Sequence, residues 1–209
     1  MEASYPHRKR NKKYNTTGHV HFLTFSCHRR MKLLSNDPWR MWLAESIRSQ
    51  CDKHDIALWA YVFMPEHVHV LLKPRRTSYD LAAWEQGTKL SWSRKIIVHL
   101  SRQGSPLLQA VRVKEGYRLW QAGGGHDLNI WTMKKVIEKA EYCHRNPVKR
   151  RLVDSPEKWR WSSFRWLEQG IRDGEPLRVD DWDETLLDDE SSRTGLNGET
   201  GGTRTTGAS

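Results

Sequence analysis

Cysteine is scarce and scattered in this chain of 209 residues: Cys27, Cys51 and Cys143 are the three it has. Thiols so far apart make neither a disulfide framework nor a zinc knuckle, and they suit a reducing cytoplasm. Long apolar runs are missing as well. No stretch reaches the ~18 apolar residues that a membrane-spanning helix requires. The first residues, "MEASYPHRKRNKKYN", carry charge without an apolar segment behind it, so they do not read as a secretory signal. No internal repeat is visible. An apolar content of 37% still suffices for one sizeable core, and a single domain is expected.

Acidic residues are in short supply over most of the length. From Asp173 onward there are 3 Lys/Arg against 10 Asp/Glu, which leaves a net charge of +17 on residues 1–172 of a chain whose total is +10. A folded region this basic is expected to meet a polyanion, and nucleic acid is the default candidate. The eleven tryptophans could stack on bases, although core and interface packing accounts for most tryptophan in proteins.

Three zones follow from composition. Residues 1–17 read as a flexible basic arm with Arg8, Lys9, Arg10, Lys12 and Lys13 nearly consecutive. Residues 18–172 read as one catalytic or binding domain. Residues 173–209 turn acidic and then rich in Gly, Thr and Ser, the composition of a disordered tail. Within the middle zone, alternation predicts a strand over residues 19–27. A helix follows, capped by Asn36 or Asp37, with Pro38 in its first turn and Trp42, Ile47 and Cys51 on an apolar face. "IALWAYVF" and "VHVLLKP" form a hairpin around "MPEH". A second helix is expected to begin near Thr77 or Ser78. "RLWQAGGGHDLNIW" is expected to be a strand leading into a glycine-rich loop. Thr132 caps a last helix that Pro147 stops. The order predicts an α+β fold, a ferredoxin-like or RRM-like antiparallel sheet with helices packed on it.

Two patterns carry candidate chemistry. In the hairpin's second strand, His67 and His69 are two apart and share a face, while Val68 and Val70 take the other. Such a pair can share a metal ion, or it can be two polar residues on a wet sheet face. Spacing does not separate it from "HVH" at His19 and His21, also on a predicted strand. In the last helix, Met133, Val136, Ile137, Ala140 and Cys143 make an apolar stripe. Tyr142 and Asn146 fall opposite that stripe one turn apart, with Glu138 near them. A solvated tyrosine and a C-terminal asparagine would look the same.

Four segments in order resemble one family: "RKRNKKYNTTGHVHFLTFSCHRR", "LWAYVFMPEHVHVLL", "RLWQAGGGHDLNI" and "YCHRNPVKRRLVDSPEKWRWSSFRW". Over about residues 8–167 the chain is similar to the REP-associated tyrosine transposases, within the single-tyrosine transposases of the HUH nuclease superfamily. The resemblance implies that His67, His69 and Asn146 bind a divalent metal, Mg²⁺ or Mn²⁺, and that Tyr142 is the nucleophile. It implies cleavage and rejoining of single-stranded, hairpin-bearing DNA through a 5′-phosphotyrosine. On this reading His19 and His21 are structural or DNA-facing, with His21 nearer the sheet's wet face. "AGGGHD" departs from the bulky aromatic loop usual in the family. Cys143 stands where isoleucine is usual.

Imidazole ligands favour Mn²⁺ in affinity, and abundance favours Mg²⁺. Besides the arm, Lys134, Lys135, Arg145, Lys149, Arg150 and Arg151 would bind backbone phosphates. The competing reading is a non-catalytic single-strand-binding module on an RRM-like sheet, which needs neither Tyr142 nor the histidine pair. A zinc hydrolase is disfavoured, because no carboxylate or third histidine stands at hydrolase spacing. Deleting residues 1–14 is expected to weaken hairpin binding and flatten its salt dependence while the folded core stays intact. Equal affinity and salt slope in a filter-binding series would make the arm a passive extension.

Overall fold

The computed structural model describes residues 14–183. The expectations for Arg8, Lys9, Arg10, Lys12 and Lys13 and for residues 184–209 fall outside them. Strand β1 (Val20–Ser26) is followed by α1 (Asp37–His54), the hairpin β2 (Ile56–Phe63) and β3 (His67–Pro74), and α2 (Leu81–Arg102). Then come a short helix α3 (Leu107–Ala110), a small hairpin β4 (Arg112–Val113) and β5 (Gly116–Tyr117), β6 (His126–Ile130), α4 (Met133–Lys149) and α5 (Phe164–Gln169). The main sheet is antiparallel, with strand order β2-β3-β1-β6. The fold is α+β, with helices packed on an antiparallel sheet, as the sequence pattern predicts.

Both faces of the sheet are covered, which the wet-face picture did not anticipate. Leu23, Phe25, Val68, Val70 and Leu72 pack with Leu43 and Ile47 of α1 and with Trp84, Trp92 and Ile96 of α2. Val20, Phe22, Leu71 and Ile130 pack with Val136, Ala140 and Cys143 of α4 on the other face. Alternation along β3 therefore sends its valines to the α1/α2 side and its histidines to the α4 side. Asn36 caps α1, its side chain accepting from the Trp39 amide at 3.1 Å.

Several boundaries differ from the sequence pattern. Helix α2 begins at Leu81, because Asp80 is its cap and accepts from the Ala83 amide. The fourth strand follows the glycine loop instead of leading into it; Trp120 makes only an isolated bridge to Cys27. Ile137 is exposed and leaves the α4 stripe. Helix α4 runs through Pro147 to Lys149. Proline forfeits one hydrogen bond there, but the last turn closes regardless. The Arg150 amide donates to Asn146 O at 3.0 Å and the Leu152 amide to Pro147 O at 2.9 Å. Beyond residue 172 the chain still lies on the core. Leu177 and Val179 are buried, the Leu58 amide donates to Asp180 Oδ2 at 2.8 Å, and Trp182 Nε1 donates to Trp59 O at 2.9 Å.

Gly125 sits where loop and β1 nearly touch. A Cβ there would lie 2.3 Å from the Thr24 carbonyl oxygen, while its amide donates to Glu85 Oε1 at 2.9 Å. Gly125→Ala is expected to lower stability by about 1–3 kcal/mol through this overpacking. A denaturation midpoint equal to that of the unaltered protein would contradict so close an approach.

Candidate active site

His67 and His69 are each 5% exposed and lie edge to face under α4, their Nε2 atoms 3.1 Å apart. Their outer nitrogens are engaged elsewhere. His67 Nδ1 lies 3.1 Å from Glu66 Oε1, and a carboxylate only accepts, so the ring donates there. His69 Nδ1 lies 2.7 Å from Thr24 Oγ1, and Asn146 Nδ2 donates to His69 Nε2 at 3.0 Å. This pattern makes both Nε2 atoms acceptors on the inner side of the pair, the one on His69 taking the Asn146 amide. Burial keeps both rings neutral. It pushes His69 down to about 3, helped by His67 and Arg30, and it lowers His67 against the opposing pull of Glu66. Burial alone would raise the Glu66 carboxyl, but His67 and Arg150 outweigh it and hold it below its ordinary value.

Helix α4 brings the other two groups. Tyr142 and Asn146 lie on the flank of its apolar stripe, not opposite it. Asn146 is buried against His69, and Tyr142 is 37% exposed with its ring 5.3 Å from that of His69. Phe22 of β1 stacks on His69 at 5.3 Å and meets the Tyr142 ring edge-on at 5.9 Å. Lys149 Nζ stands 5.3 Å over the Tyr142 ring.

Among the described residues no three His, Cys, Asp or Glu side chains are grouped for a metal. The donor set here is two imidazoles and an amide. A half-turn of the Asn146 amide would bring Oδ1 to where Nδ2 stands. Two inward imidazole nitrogens 3.1 Å apart, flanked by an amide oxygen, fit a divalent cation that takes nitrogen and oxygen donors.

The second histidine pair has a different setting. His21 is fully buried on the α2 side of the sheet, not on a wet face. Its Nδ1 lies 3.0 Å from Asp127 Oδ1 and its Nε2 2.7 Å from Tyr79 Oη. The Tyr79 hydroxyl donates to Thr16 O, and Asn129 Nδ2 donates to Tyr14 O, so this network holds two residues of the stretch 1–17 that was expected to be a flexible arm. His19 packs on Trp131, their rings 5.7 Å apart. Neither ring shares a face with His67 and His69.

The basic residues of α4 and just beyond divide. Lys135 pairs with Glu138 at 2.6 Å, and Arg150 with Glu66 at 3.0 Å. Lys134, Arg145 and Arg151 are exposed, and Lys149 overhangs Tyr142. The sequence reasoning missed Phe22, Thr24 and Glu66. Glu66 stood in "PEHVH" beside the first histidine; Thr24 becomes a neighbour of His69 only through strand register, which no local pattern reveals. His144 was also passed over. It is buried, its Nε2 lies 3.0 Å from Ser163 Oγ, and it ties α4 to the "WSS" segment.

The sheet thus buries a histidine pair beneath a helix that carries a tyrosine and an asparagine. The family described as "Transposase IS200 like" matches residues 14–139, and the chain belongs to it. That match takes in His67 and His69 and ends short of Tyr142. A REP-associated tyrosine transposase solved bound to a REP hairpin is similar in fold: TM-score 0.59 and 21% identity, over 85% of this chain and 96% of that one. A candidate transposase from Deinococcus radiodurans aligns with TM-score 0.40 and 16% identity over 70% of this chain and 97% of its own. No curated protein matches significantly in sequence. No helix among the described residues is long and apolar enough to cross a membrane.

The two histidine settings predict opposite costs. His21→Ala strands the buried Asp127 and should cost about 3 kcal/mol or more. His69→Ala removes one of two opposed lone pairs and should cost less. Thermal unfolding of both variants checks this, and the reverse ranking would refute the structural role of His21.

Proposed function

We propose that this transposase cleaves and rejoins single-stranded, hairpin-bearing DNA of the REP type, with Tyr142 as its one nucleophile. The observation that carries the reading is convergence. Groups from β3 and α4, far apart in sequence, meet with ring centres of Tyr142 and His69 5.3 Å apart and Asn146 at hydrogen-bond distance from His69. A binding module has no need of that arrangement.

His67, His69 and Asn146 would hold Mg²⁺ or Mn²⁺. When bound, the cation would offset charge on a non-bridging phosphate oxygen. The remaining work falls to the chain. Glu66 and Thr24 keep the imidazole lone pairs turned inward. Phe22 and His69 hold the tyrosine ring at the site, and the exposure of Tyr142 leaves its hydroxyl within reach of a strand. The Tyr142 oxygen forms a bond to phosphorus as the bond to the 3′ oxygen breaks. The phenol gives up its proton to solvent, and the departing 3′ oxygen takes one from solvent. A phenol of pKa ~10 leaves more readily than an alkoxide, so the 3′ hydroxyl can later attack the 5′-phosphotyrosine and rejoin the strand. Lys134, Lys135, Arg145, Lys149, Arg151 and the basic arm would line the phosphate path, and unpaired bases with hairpin shape would set sequence choice. The fold's likeness to a transposase solved with a REP hairpin supports that substrate class.

The test is a labelled single-stranded hairpin with Mg²⁺ or Mn²⁺, resolved on a denaturing gel. The unaltered protein should yield a covalent adduct. Tyr142→Phe should bind the hairpin but form none, and His67→Ala and His69→Ala should lose metal-dependent cleavage while retaining most binding. An adduct mapped to another tyrosine would overturn the assignment. Absence of any adduct across hairpins and both metals would favour the binding module.

A further inference from the structure

Helix α4 does not stop at Pro147, and its extra residues reach the site. Asn146 lies against His69 at 3.0 Å, and four residues on, Arg150 pairs with Glu66 at 3.0 Å. Residues four apart share a helix face, and Arg150 caps the helix directly after Lys149, so the amide and the guanidinium come from one edge of α4 and its C-terminal cap. The Glu66 side chain is 8% exposed, and its Oε1 serves both His67 Nδ1 and Arg150. Burying a carboxylate is costly unless a cation pairs with it, and Arg150 is the cation within reach. Arg150 was expected to grip backbone phosphate. Its observed partner is the carboxylate that orients a histidine.

We infer that Arg150 is a positioning residue for the metal site: by holding Glu66 it keeps the His67 lone pair turned toward His69. The inference rests on the metal-binding reading above. A charged carboxylate on Nδ1–H fixes the tautomer and raises the donor strength of Nε2, and loss of such outer partners typically weakens metal binding ~10–100-fold. With Arg150 gone, Glu66 is free to swing toward water, and the ring is free to turn.

The sign of the effect makes the idea testable. Removing a positive charge near a cation site should tighten cation binding by simple Coulomb repulsion. A positioning role demands the reverse. The measurement is Mn²⁺ binding followed by electron paramagnetic resonance of the free ion, on the full chain without DNA. Arg150→Gln should weaken Mn²⁺ binding by about tenfold or more, as should Glu66→Gln. Arg150→Lys should recover part of the loss, because it restores a cation to Glu66. Arg30→Gln removes another positive charge that acts on both histidines and makes no ion pair with Glu66, so it should leave Mn²⁺ affinity equal or slightly tighter. Circular dichroism guards against a variant that fails to fold, and Arg150→Lys supplies a second substitution at the same place. Unchanged or tighter Mn²⁺ binding in Arg150→Gln would overturn the inference while leaving the metal site in place. No Mn²⁺ binding by the unaltered protein would overturn the metal site itself, and this inference with it.

Discussion

Two buried imidazoles with their Nε2 atoms 3.1 Å apart are the constraint on which the rest of the site depends. Burial removes the option of protonation, since His69 is pushed down to about 3. Glu66 and Thr24 take the outer nitrogens, and Phe22 stacks on His69 at 5.3 Å and limits its tilt. A protein that sought only stability would place aliphatic side chains at these two positions of β3. The local conflict between fold and site is a mark of function.

Holding such a pair requires both the sheet and α4. β1 is the central partner: Ser26 lies opposite His67 and Thr24 opposite His69, so antiparallel register delivers the hydroxyl that His69 uses. Helix α4 supplies Asn146 and Tyr142 and seals the same sheet face with Val136, Ala140 and Cys143. His144 then anchors that helix to Ser163, whose hydroxyl also accepts from the Tyr61 amide at 3.0 Å. On the other side of the sheet, Tyr79 and Asn129 hold the backbone of residues 14 and 16.

Period-two and helical patterns made the sheet, α1, α4 and the same-face histidines legible, because local sequence sets those periods. The distinction between the two histidine pairs was not legible. His19–His21 and His67–His69 have equal spacing and equal strand context. Only the pairing of β1 with β3 and β6 sends them to opposite faces and gives His21 its Asp127 and Tyr79 partners. Proline misled at residue 147: it forfeits its own amide bond, yet the turn beyond it closes through the Arg150 and Leu152 amides. The glycine run misled in the opposite sense, marking the entry to β6 rather than its exit. The wheel put Tyr142 and Asn146 off the stripe without saying how far, and that angle decides whether an amide faces water or a histidine.

Helix α4 has two jobs that other proteins divide between separate elements. It is the cover of one core face and the carrier of the tyrosine. A gene copy truncated before Met133 would therefore not persist as an inert DNA binder that competes with intact copies. It would expose Val20, Phe22, Leu71 and Ile130 to water and go to the cell's proteases. Decay of the coding sequence in that region would clear the defective product along with the activity, leaving little room for dominant interference.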